Sequence, residues 1–90
     1  MAPAVSPWLR YVAANVRRLR AKAGLTQEEL GERAEIEPRY LQDVEHARTN
    51  LSFAIFVRLA TALDVDPRRL LRPAQMPPTR AGRPPAKRSR

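Results

Sequence analysis

Apolar residues recur at helical spacing in several short stretches of this 90-residue chain, and turn signals separate the stretches. Leu9, Val12, Val16 and Leu19 define one such face, so the spacing predicts a first helix over residues 8–23. Arg10, Arg17, Arg18, Arg20 and Lys22 fill its other faces, and Gly24 suits the left-handed residue that ends a helix. Thr26 is a good N-cap with Glu29 three residues on, a capping box, and Leu30 and Ala34 share a face one turn apart. That second helix must end near Glu35, because Ile36 starts a new apolar pattern. Pro38 fits the first turn of a third helix, where its missing N–H costs nothing. Leu41 and Val44 turn inward from it, leaving Arg39, Gln42, Asp43 and His46 outside. Ser52 can cap a fourth helix with Phe56, Leu59, Ala60 and Leu63 as its core stripe, and Asp66-Pro67 signals a short fifth ending near Leu71. Gly31 lies inside the second helix at a cost of roughly 1 kcal/mol against alanine. Such a cost points to another helix crossing too closely for a Cβ. Trp8 is expected to cap the core.

The expected fold is therefore all-α, with five helices, and residues 26–46 form a helix-turn-helix. Three segments follow: an N-terminal arm over 1–7, a helical domain over 8–72, and a tail over 73–90. The tail holds five prolines and five Lys or Arg, no acid and only scattered apolar residues. That composition cannot build a core, so a disordered basic tail is expected.

The residues from Arg20 through Gly24-Leu25-Thr26-Gln27, Gly31, Ile36, Tyr40-Leu41, Val44-Glu45, Asn50 and Leu59-Ala60 carry a resemblance. Over residues 9–71 the chain resembles the Cro/repressor-type, XRE-like helix-turn-helix family. The resemblance implies double-stranded DNA as partner, the third helix (38–46) in the major groove, and a sequence-specific transcriptional regulator. It implies base reading by Arg39, Gln42 and Asp43, with Pro38 at the edge. Arginine can bridge guanine O6 and N7, and a carboxylate can accept from cytosine N4; Asp43 could equally serve to hold Arg39. Phosphate contacts would fall to Thr26 and Gln27 at the start of the second helix and to Arg48, Thr49 and Asn50 in the following loop. The resemblance also implies an ion pair between Arg20 and Glu45. Four positions depart from the family pattern: Glu35 and Ala47 stand where glycine is common, and Leu51 where proline is. Glu37 replaces the usual Ser or Thr cap. The resemblance implies a bacterial or phage protein associated with the nucleoid, and the absence of cysteine fits a reducing cytoplasm.

The charge map changes that picture. The formal net charge is +8, which points to a polyanion partner. Yet Thr26 to Arg48 holds seven acids (Glu28, Glu29, Glu32, Glu35, Glu37, Asp43, Glu45) and three bases (Arg33, Arg39, Arg48), a net −4. Attraction to phosphates must then come from the first helix, the Arg48 loop and the tail, through Arg80, Arg83, Lys87 and Arg88. Within the tail, Arg80-Ala81-Gly82-Arg83-Pro84 partly matches an AT-hook, with Ala81 displacing the arginine before glycine. Ile55 is apolar where a solvated residue is expected, and with Val65 and one of Leu70 or Leu71 it could form a homodimer patch.

The chain holds no cysteine and one histidine, so disulfides are excluded, and neither a metal site, a cofactor nor an enzyme is expected. No apolar run reaches the length of a membrane helix. Two rival readings use the same helices: an antitoxin with a protein partner held through the tail or acidic face, and an interaction domain without specific DNA binding.

Overall fold

A computed structural model describes residues 6–75 of the chain. Four α-helices, α1 (Ser6–Lys22), α2 (Gln27–Ala34), α3 (Pro38–Glu45) and α4 (Phe53–Ala62), lead into a 3-10 helix over Pro67–Leu71. No strand occurs among the described residues. None of their helices is long and apolar enough to cross a membrane. Tail residues Arg80, Arg83, Lys87 and Arg88, with the AT-hook-like segment, lie outside the described residues, as do the first five of the expected arm.

Two of the expected helices differ. The described part of the first helix already includes Ser6 and Pro7, ahead of the expected start at residue 8. The fifth helix is 3-10: Asp66 caps it by accepting from the Arg68 N–H, and Arg69 N–H donates to Asp66 O at 2.8 Å, an i,i+3 closure. Both oxygens of Asp66 also accept from the Arg68 side chain, which together with the backbone bond brings the Asp66 carboxyl down to about 2.

One core holds the helices together. Val12, Val16 and Leu19 of α1, Leu30 and Ala34 of α2, Leu41 and Val44 of α3, Leu59 and Ala60 of α4, and Leu63 and Leu70 form a single buried cluster. Leu70 is fully buried there, which withdraws it from the expected dimer patch; the 3-10 turn points Leu70 inward and leaves its neighbour Leu71 exposed. A polar clasp fixes the 3-10 helix on α1. The buried Asn15 amide donates to Leu70 O at 3.0 Å and Arg72 O at 2.9 Å, while its oxygen accepts from Arg18. Asn15 satisfies carbonyls that a short helix end would otherwise leave orphaned.

All four α-helices stop in the same way. Gly24, Glu35, Ala47 and Asp64 take positive φ, between 57° and 73°. After each, the next N–H reaches back five residues: Leu25 to Arg20 O, Ile36 to Gly31 O, Arg48 to Asp43 O, and Val65 to Ala60 O. This is the Schellman closure, and Leu25, Ile36 and Val65 pack their side chains on the core beside it. Only one of the four is glycine, so the other three hold a left-handed backbone at about 1 kcal/mol or more each.

Gly31 is required by the turn rather than by a crossing helix. A Cβ there would lie 2.8 Å from the Ile36 carbonyl oxygen and against the backbone of Pro38. The chain doubles back so tightly between α2 and α3 that no side chain fits.

Candidate nucleic-acid interface

The α2–α3 pair is tied to α1 by one buried carboxylate. Glu45, 1% exposed at the end of α3, accepts from Arg20 Nε at 2.6 Å and from its second guanidinium nitrogen at 3.0 Å. Arg20 also donates to Leu25 O, bridging the α1–α2 turn. Its hydrogen bond to Glu45 holds the guanidinium pKa above its ordinary value. Such a forked pair combines charge with fixed geometry. The third donor to Glu45 is the Gln27 side chain, at 3.0 Å, and Gln27 in turn accepts from Gln42 at 3.4 Å. A carboxylate can only accept, so this chain commits the Gln27 amide inward. The second Nε2 hydrogen of Gln27 and its backbone N–H, in the first turn of α2, remain to meet a phosphate. Thr26 forms a capping box, its hydroxyl oxygen accepting from Glu29 N–H and its own N–H donating to Glu29 Oε1, which leaves the hydroxyl hydrogen free to donate outward.

One face of α3 stays in water. Pro38, Arg39, Gln42 and His46 are exposed and Asp43 is half-buried, whereas Leu41, Val44 and Glu45 are inside. Glu37 precedes the helix without a side-chain cap. Arg39 makes no hydrogen bond or ion pair with another described residue. The alternative in which Asp43 holds Arg39 is not what the structure has: Asp43 faces Arg48 at 3.4 Å, the side chains 41% and 60% exposed. An exposed pair of this kind contributes little to stability. It does join α3 to the loop that follows.

That loop is closed by Tyr40. Its ring packs against the core, and its hydroxyl donates to Asn50 O at 2.9 Å, leaving the Asn50 side chain outward beside Arg48 and Thr49. Arg48, Thr49 and Asn50 thus form one ledge next to the exposed face of α3.

Besides the Asn15 clasp, two features carry no signal in the sequence. Arg58 of α4 reaches the turn between α2 and α3, its Nε donating to Ala34 O at 3.0 Å and a second nitrogen to Glu35 O. An exposed arginine on a helix carries no signal for this. The other is an apolar hollow lined by Trp8, Leu9, Val12, Leu51, Phe53, Phe56 and Leu71. Trp8 is 51% and Phe53 78% exposed, so Trp8 caps no core; it stands edge-on to Tyr11 at 5.3 Å. Of the residues expected at a dimer patch, Ile55 and Val65 are half-buried against the core.

Comparison with known proteins agrees with this architecture. Residues 12–73 match a family model described as a helix-turn-helix domain. The chain is 36% identical over 69 residues to the uncharacterized HTH-type transcriptional regulator y4dJ of Sinorhizobium fredii, covering 77% of this chain and 90% of that protein. It is 38% identical over 56 residues to the HTH-type transcriptional regulator RamB of Mycobacterium tuberculosis; this is 62% of the chain but only 12% of RamB's length. Among solved structures, the restriction-modification controller protein C.AhdI from Aeromonas hydrophila superposes with a TM-score of 0.67 at 37% identity, over 69% of this chain and 94% of that one. The match across 12–73, and the likeness along nearly the full length of y4dJ, carry one conclusion: the chain belongs to the helix-turn-helix domain family of the Cro/repressor, XRE-like type.

Proposed function

We propose that the protein is a sequence-specific DNA-binding transcriptional regulator that lays α3 in the major groove. A single observation carries this reading: α3 is locked by Leu41, Val44 and Glu45 while turning Pro38, Arg39 and Gln42 outward, with Arg39 unpaired among the described residues. Relatives named as transcriptional regulators and a restriction-modification controller support it. Arg39, Gln42 and Asp43 read base edges, with Pro38 at the margin. The backbone N–H groups after Thr26, and Arg48, Thr49 and Asn50, touch the sugar-phosphate chain, joined by Arg80, Arg83, Lys87 and Arg88 of the tail. The protein acts in the cytoplasm on nucleoid DNA, without a cofactor and without enzymatic activity.

Arg39→Ala should lose about 1–3 kcal/mol of discrimination at one base position, with binding to random DNA nearly unchanged. Competition binding across single-base variants of a selected site checks this. A uniform loss on every sequence would make Arg39 a phosphate contact instead.

The regulator acts as a homodimer. The contact draws on Ile55, Val65 and Leu71, the exposed one of the two adjacent leucines, with Trp8 and Phe53 beside Leu71. Large apolar side chains gathered on one surface mark an interaction site. Sedimentation at micromolar concentration should give a dimer for the wild type and a monomer for Ile55→Lys or Phe53→Asp; a wild-type monomer refutes the contact. The same hollow favours a second reading, an antitoxin or interaction domain with a protein partner. In that case the variants would leave DNA binding intact.

A further inference from the structure

We infer that Arg58 is a positioning residue for the reading helix: its guanidinium clamps the turn that sets where α3 begins. The inference rests on the proposed DNA reading, but its physical part stands on the turn alone.

Between α2 and α3 the chain has only Glu35, Ile36 and Glu37 in which to reverse. Glu35 holds φ 60° and ψ 48°, a left-handed conformation that a residue with a Cβ resists. Its closure depends on few bonds: Ile36 N–H to Gly31 O at 2.8 Å and Glu35 N–H to Glu32 O at 3.2 Å. Glu37 adds no side-chain cap on the far side. The carbonyls of Ala34 and Glu35, at the negative end of α2, would be left to water.

Arg58 supplies what the turn lacks. It donates to both carbonyls from α4, which packs against α2. These are the only side-chain hydrogen bonds from α4 to the turn among the described residues. The planar fork matches two adjacent oxygens as an ammonium cannot, and the positive charge sits at the helix end that favours a cation. The consequence reaches past stability. Groups that read base edges must be held to about half an ångström and 10–20°, whereas contacts to the flexible phosphate chain tolerate more. Freeing the turn lets α3 shift on its hinge, so base discrimination falls first.

Four variants test this: Arg58→Ala, Arg58→Lys, Glu35→Gly and the double variant Arg58→Ala/Glu35→Gly. The probe is the duplex that the wild type enriches from a random library, measured against a scrambled duplex across a salt series. Arg58→Ala should lower the ratio of specific to scrambled affinity roughly tenfold, with the salt slope unchanged. Lysine should recover only part of that ratio. Glycine at position 35, which needs no clamp to hold positive φ, should recover more of it in the Arg58→Ala background than it adds to the wild type. In the free protein, Ile36 N–H should exchange faster in Arg58→Ala while amides in the middle of α1 do not. A slope reduced by about 0.9 would mean that Arg58 neutralises a phosphate, and the clamp would be wrong. An unchanged ratio would reduce Arg58 to a stability contact and overturn its positioning role. If the wild type enriches no duplex, the DNA reading falls. Ile36 exchange then decides the clamp alone: unaltered exchange overturns it.

Discussion

Glu45→Ala should lower the stability of the domain by about 3 kcal/mol, the largest loss expected from any single substitution of a charged side chain here. Glu45 is enclosed and accepts three hydrogen bonds, two from Arg20 and one from Gln27. Removing it strands a guanidinium that is four-fifths withdrawn from water. A half-broken buried pair costs far more than the intact pair contributes, because the remaining charge has no partner. In a domain of this size such a loss lowers the melting temperature by roughly 15 °C. Glu45→Gln keeps the shape and one acceptor and should lose less. A melting shift of only a degree or two for alanine would show that water or another acceptor takes over the role of Glu45.

The second large effect concerns salt. Deleting residues 76–90 should flatten the slope of log K against log[salt] by roughly 3 to 4 units, if three to five of Arg80, Arg83, Lys87, Arg88 and Arg90 each neutralise a phosphate. The reason lies in the charge map: residues 26–48, which carry the reading face, are net −4 in a chain of net +8. A helix pair of that sign gains nothing from the field of DNA. Affinity for specific and random duplexes should fall together, since phosphate contacts carry no sequence information. A protein-binding tail would leave the slope unchanged. An AT-hook would lose more on A·T-rich flanks than on G·C-rich ones.

Most of the helical frame was legible because each boundary carries a local signal that tertiary packing did not override. Thr26 with Glu29, Ser52 and Asp66-Pro67 cap where their side chains can only cap. Leu30, Leu41, Leu59 and, in α1, Val12, Val16 and Leu19 are buried because their spacing allows one inward face, while Leu9 of the same stripe lines the hollow instead. Leu70 and Leu71 were harder. A 3-10 turn rotates each residue further than an α-turn, so adjacent leucines cannot be sorted from periodicity. Asn15 and Arg58 were invisible for a different reason. Each is a polar side chain whose role is defined by carbonyls distant in sequence, Leu70 and Arg72 for one, Ala34 and Glu35 for the other. Gly31 announced a close approach, but its neighbour is the turn's own backbone. The exposure of Trp8 and Phe53 goes against the general pull of aromatics inward, and a single sequence does not say which aromatic resists it. For the reading face, helix phase separated Arg39 and Gln42 from Leu41 and Val44. The partner of Asp43 depended on loop geometry that phase does not carry.

If α3 reads a sequence, the 90-residue chain should select it from a random duplex library. The enriched site should be two-fold symmetric with half-sites about one helical turn apart, and Arg39→Ala should lose its preference at one position in each half. Recovery of duplexes with no shared sequence, at affinities that depend only on salt, would contradict that reading.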